Sequence, residues 1–225
     1  MNVEILNGPG CATAKVKLAP GEVVSAEGGS MITMSADMKI ETTTHQKGKR
    51  GILKAMKRML SGEGFFLNHY TAGSNGGEVL LSTTLLGDMM TYQLNNESLI
   101  VQSGSYVASA QGVEIDFGWQ GFKSLLSGEK SFWHDINGSG TVVLNSFGAI
   151  YPIEVDGEYI VDSGHIVAFQ KSLDFKITKA GKSWLSSIIG GEGLVCKFQG
   201  KGTVWCQSHN STGFGTKVGS NLKPR

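Results

Sequence analysis

Apolar and polar positions alternate along this chain in short runs broken by glycine-bearing turns, a rhythm that predicts strands rather than long helices. Three segments share one pattern: Gly21–Glu41, Glu97–Asp116 and Glu158–Lys176. Each opens on a β-branched run and passes a polar turn ending in Gly29, Gly104 or Gly164. A second apolar run and a polar break follow, and a short strand ends in Ile40, Ile115 or Phe175. The continuation also recurs. A short amphipathic segment (Ile52–Ser61, Phe122–Ser127, Ser183–Gly190) leads to a Gly-Glu step at Glu63, Glu129 or Glu192. A closing strand then starts at Gly77, Gly140 or Gly202.

The order strand, turn, strand, short helix, Gly-Glu, strand, turn, strand therefore occurs three times. A unit of about 60 residues buries only roughly 60% of its unfolded surface and is marginal alone, so three units sharing one core is the expected solution. The expected fold is mainly β: three pseudo-threefold related shallow β-sandwich repeats, each with a short helix. The repeats are placed at 1–94, 95–155 and 156–215, followed by a loose tail at 216–225. The 32 glycines against 4 prolines fit many tight turns, and the glycines read as positions needing positive φ.

Three motifs carry a resemblance over nearly the whole chain: Ala26-Glu27-Gly28-Gly29-Ser30-Met31, Leu60-Ser61-Gly62-Glu63-Gly64-Phe65-Phe66 and Asp162-Ser163-Gly164-His165-Ile166-Val167-Ala168-Phe169. In their order they resemble the bacterial uncharacterised family related to altered inheritance of mitochondria protein twenty-four. The resemblance implies a fold similar to the tryptophan RNA-binding attenuation protein. It implies no reaction, because the bacterial members have none assigned. The mitochondrial relative is associated with inner-membrane organisation, and this chain begins without an obvious presequence.

Net charge is +1, so no global field points to a polyanion. The three cysteines, Cys11, Cys196 and Cys206, are odd in number and lack CxxC spacing, which argues against a disulfide framework or structural zinc. With no signal-peptide pattern and no apolar run of membrane-spanning length, a soluble, cytoplasmic protein is expected. The histidines at 45, 69, 134, 165 and 209 show no HxH, HExxH or HxxxH spacing. His165 reads as a turn or partly buried histidine. No GxSxG elbow occurs, and the glycine clusters follow a helix rather than precede one, so nucleotide binding is discounted. Cys196 and Cys206 fall in predicted strands, leaving Cys11 as the exposed thiol. The recurring Glu63, Glu129 and Glu192 could converge on the pseudo-threefold axis and hold a cation. Their capping of backbone N–H groups in one kind of turn explains the recurrence without axis geometry and is preferred.

One stretch departs from neutrality. Residues 47–58 carry Lys47, Lys49, Arg50, Lys54, Lys57 and Arg58 with no acid, while Ile52, Leu53, Met56, Met59 and Leu60 form one apolar side at helical spacing. Such a segment suits an anionic membrane surface or a nucleic acid. A solvated polar face over a core-packed helix is the plainer reading of the same residues. The expected function is a non-catalytic binding or scaffold protein contacting an anionic membrane surface, with no cofactor and no metal. The alternatives are an RNA-binding module by fold analogy, or a small-molecule or metal-binding enzyme whose site is assembled from distant residues. No DNA partner is expected. Edge strands left by short sheets predict a homo-oligomer, with Trp184, Leu185, Ile188 and Ile189 as its contact surface.

Overall fold

A computed structural model describes residues 1–44, 66–116, 133–179 and 194–222. Among them the chain is mainly β, with large antiparallel sheets. Its first strands are β1 (Asn2–Leu6), β2 (Thr13–Leu18), β3 (Val23–Glu27), β4 (Met31–Met34), β5 (Lys39–Thr44), β6 (Phe66–Thr71) and β7 (Gly77–Leu81). Then come β8 (Met89–Gln102), β9 (Tyr106–Ala110), β10 (Val113–Asp116) and β11 (Trp133–Asn145). The last are β12 (Ile150–Asp162), β13 (Ile166–Gln170), β14 (Asp174–Lys179) and β15 (Leu194–Gln207), followed by a helix, α1 (Ser211–Gly219).

One sheet has the order β1-β2-β7-β4. The other runs β12-β15-β13-β8-β11-β9-β3-β6-β5, with β10 on β11 and β14 on β15. The pairings are antiparallel. β8 pairs with β11 over nearly its whole length, and β12 with β15 over all of it. These long strands bend near their middles. Asn96 takes a φ of 59° beside the register shift at Gly138/Ser139, and asparagine tolerates this left-handed conformation better than other side-chain-bearing residues. The corresponding strands nearer the N-terminus are fully broken: Pro20-Gly21 separates β2 from β3, and Ala72–Gly76 separates β6 from β7. Residues 94–95 and 155–156, where repeat boundaries are expected, lie inside the continuous strands β8 and β12.

The interior falls into three apolar clusters. The first gathers Val16, Val24, Tyr70, Val79 and Leu81, with Val107 and Ala108 of β9 added. Another gathers Leu94, Leu99, Tyr106, Ile136 and Leu144, with Val167 and Ala168 of β13 added. The remaining cluster holds Val155, Val161, Phe169, Phe198 and Val204, with Ile100 and Trp133. In it, Phe169 meets Trp133, Phe175 and Phe198 at ring-centroid distances of 5.6, 5.0 and 5.1 Å.

The turn glycines divide by cause. Gly29 has a φ of 92° and is required for its conformation. Gly164 lies in the 3-10 turn Ser163–His165 with an ordinary φ, and a Cβ there would lie 2.1 Å from the Asn210 Nδ2. Space rather than φ selects glycine at that turn. Asn210 itself starts α1, its side chain accepting from the backbone N–H of Thr212 at 2.9 Å and of Gly213 at 3.1 Å. Phe214 packs edge-on against Phe147 at 5.3 Å. Helix α1 runs on through Thr216 to Gly219 and has no buried residue.

Candidate functional site

Lys47, Lys49, Arg50, Lys54, Lys57 and Arg58 lie outside the described residues, as do Glu63, Glu129, Glu192 and the apolar set Trp184, Leu185, Ile188 and Ile189. What the structure fixes is the pair of strand ends on either side of each segment that carries them. Thr44 is the register partner of Phe66, Asp116 of Asp135, and Lys179 of Leu194. Each segment therefore leaves and re-enters the sheet at adjacent points.

Among the described residues, a polar ladder across four strands comes nearest to a catalytic grouping. The Ser25 Oγ lies 2.8 Å from the His69 Nδ1, and the His69 Nε2 lies 2.7 Å from the Thr43 Oγ1. The Tyr106 hydroxyl donates to the Ser25 carbonyl at 3.1 Å and meets the Ser109 Oγ at 2.9 Å. Sequence reasoning missed this group because β3, β5, β6 and β9 supply it and no short spacing encodes it. The ladder resembles nucleophile, base and orienter only in outline. Threonine stands where a carboxylate would stabilise an imidazolium. Ser25 also sits mid-sheet, in register with His69 on one side and Ser109 on the other. The surrounding backbone N–H groups are engaged in strand pairing and do not form an oxyanion hole. The group serves as cross-strand hydrogen bonding.

No group of three or more His, Cys, Asp or Glu side chains among the described residues is placed to hold a metal. Asp135, buried in β11, pairs with the Lys171 Nζ at 2.5 Å. His165 contacts the Gln207 carbonyl through Nδ1 at 2.8 Å, a turn histidine engaged with the backbone. Burial pushes the thiols of Cys196 and Cys206 up to about 12, which removes the thiolate that reactivity needs. Cys11 is exposed. Titration with a thiol reagent should therefore find one rapidly reacting group in the native protein and all three after denaturation. Rapid native reaction of two or more would contradict this burial.

Glu27, at the end of β3, is the most perturbed carboxyl of the described residues: burial raises it from 4.5 to about 7. Between those values the folded chain holds a proton that the unfolded chain has released. Stability is therefore full below 4.5 and declines as pH rises through 7. Glu27→Gln should remove that decline and stabilise the protein at pH 8 by up to about 3 kcal/mol. Urea unfolding of both forms at pH 5 and pH 8 checks this, and an equal effect at both pH values would exclude the titration.

The family model described as mitochondrial biogenesis AIM24 matches residues 3–209. The chain belongs to the AIM24 family. An uncharacterised protein of Streptococcus pyogenes serotype M6 is 29% identical over 208 residues, covering 89% of this chain and 82% of that protein. A crystal structure of another Streptococcus pyogenes protein, from a structural genomics consortium, superposes with a TM-score of 0.79 at 26% identity. It covers 98% of this chain and 99% of that one. The family description names no reaction. Among the described residues no helix is long and apolar enough to cross a membrane.

Proposed function

We propose that this AIM24 protein is a non-catalytic scaffold of three pseudo-threefold related β units, similar to the tryptophan RNA-binding attenuation protein, that binds an anionic membrane surface. Equivalent pairings support the three units. Ile40 faces Tyr70, Ile115 faces Ile136, and Phe175 faces Phe198. Further along the same returning path, on β7, β11 and β15, Thr33 faces Leu80, Ala108 faces Val143, and Ala168 faces Trp205, each next to a register shift in β4, β9 or β13.

The observation that carries the membrane reading is the position of the three strand ends, Thr44/Phe66, Asp116/Asp135 and Lys179/Leu194. These ends are equivalent points of the three units, and the intervening segments would together form the binding surface. The first segment contributes the six basic residues from Lys47 to Arg58. The second contributes Phe117, Trp119, Phe122, Leu125 and Leu126, and the third Trp184, Leu185, Ile188 and Ile189. Tryptophan with basic side chains is the composition that settles at a lipid headgroup boundary. The free thiols fit a reducing cytoplasmic compartment. Glu63, Glu129 and Glu192 fall in the same segments.

Co-sedimentation with anionic and with neutral vesicles, at low and physiological salt, tests the proposal. The expected result is salt-sensitive binding to anionic vesicles and little to neutral ones. No binding to anionic vesicles at low salt, or a shift of single-stranded RNA in its place, would overturn it.

A further inference from the structure

The two junctions between neighbouring units use the same strands in the same register. At the first, β3 pairs with β9 through Val24↔Ala110, Ser25↔Ser109 and Ala26↔Ala108. At the second, β8 pairs with β13 through Leu99↔Gln170, Ile100↔Phe169 and Val101↔Ala168. The strands that would make a third such junction are β12 and β4. In the described residues β12 pairs only with β15, and β4 only with β7. Each ends a sheet and offers an unpaired backbone edge.

These edges are also apolar. Met31 and Ile32 of β4 are 40% and 48% exposed, and Tyr159 and Ile160 of β12 are 45% and 60% exposed. Their counterparts at the two formed junctions are fully buried: Tyr106, Val107, Ile166 and Val167 on the short strands, and Leu99 and Ile100 on the long strand β8. Val107 with Ala108, and Val167 with Ala168, complete the apolar cluster of the preceding unit. The cluster around Phe169 receives no such pair from β4 among its members.

We infer that the β12 edge of one chain takes the β4 edge of a second copy, in the register already used twice. Ile160 then stands opposite Met34, Val161 opposite Thr33, and Tyr159 opposite Ser35. This rests on the three-unit reading and not on the membrane surface. Strand addition supplies main-chain hydrogen bonds, and the apolar side chains supply burial. The two edges differ, so the contact is head-to-tail, and each copy keeps one of each edge free for a further copy.

Two measurements on the full chain test the inference. Sedimentation velocity across the micromolar range should show species above 24.0 kDa. Ile160→Asp should shift their formation by about a hundredfold in concentration, because it buries an unpaired charge at the contact. The circular dichroism and melting of that variant should match the wild type, since Ile160 is exposed in the single chain. In a Cys11→Ser background, chains carrying Ile160→Cys and chains carrying Met34→Cys should form a linked dimer when mixed under mild oxidation. Neither should do so alone. Wild-type protein that is monomeric throughout would overturn the inference, as would oligomers unaffected by Ile160→Asp. A disulfide formed within one chain carrying both cysteines would also overturn it, because the edges would then close on themselves.

Discussion

Reversing Lys54, Lys57 and Arg58 to glutamate together is expected to weaken binding to anionic vesicles by at least about a hundredfold. Each basic side chain near such a surface contributes on the order of 1 kcal/mol, and three neutralised charges already correspond to that loss. Reversal adds repulsion. Raised salt should act in the same direction on the wild-type protein, because exposed charges are screened over roughly 10 Å at 0.1 M ionic strength. If residues 52–60 are helical, their spacing sets the three basic residues largely opposite Ile52, Met56 and Leu60. Unchanged circular dichroism and melting are therefore expected. Vesicle binding that survives the triple reversal would place the anionic-surface site elsewhere.

Replacing Phe169 with alanine is expected to cost about 3–5 kcal/mol of stability. Its side chain is fully buried in β13 and touches three other aromatic rings. Removing it leaves a cavity that rigid sheet neighbours fill poorly, and part of the aromatic pairing is lost as well. For a chain of this size the melting temperature should fall by roughly 10 °C. Urea unfolding gives the free energy directly. A loss below about 1 kcal/mol would contradict the central place of β13 in that core.

The sequence rhythm made the mainly β class legible: burial alternates with the pleat in β2 and β3, whereas β9 and β13 are short apolar runs buried on both faces. Ile40, Ile115 and Phe175, expected as strand ends, each lie in a strand paired to the returning one, but Ile40 and Phe175 stand near the starts of strands that run on to Thr44 and Lys179. Strand lengths were less legible. Asn96 reads locally as a turn residue, yet β8 runs through it as a bend, because pairing with β11 outweighs the local preference. Helix α1 was hidden by its glycines, although Asn210 followed by Ser211 and Thr212 carries an N-cap signal. Burial of Cys196 and Cys206 followed from their apolar neighbours. The elevated carboxyl of Glu27 did not, since desolvation depends on which distant strands cover a residue. The Ser25–His69–Thr43 ladder was invisible for the same reason: its members meet only through antiparallel pairing. The six basic residues stood out by charge alone and fall outside the described residues.

The membrane reading concerns a face, not a single segment, and hydrogen–deuterium exchange on the wild-type protein addresses that face directly. Anionic vesicles should slow exchange in residues 45–65, 117–132 and 180–193 together. Strands such as β8 and β15 should keep the exchange rates they have in solution. Neutral vesicles should change none of these regions. Unaltered exchange in all three segments on anionic vesicles, or protection confined to the sheet strands, would contradict a membrane-facing scaffold.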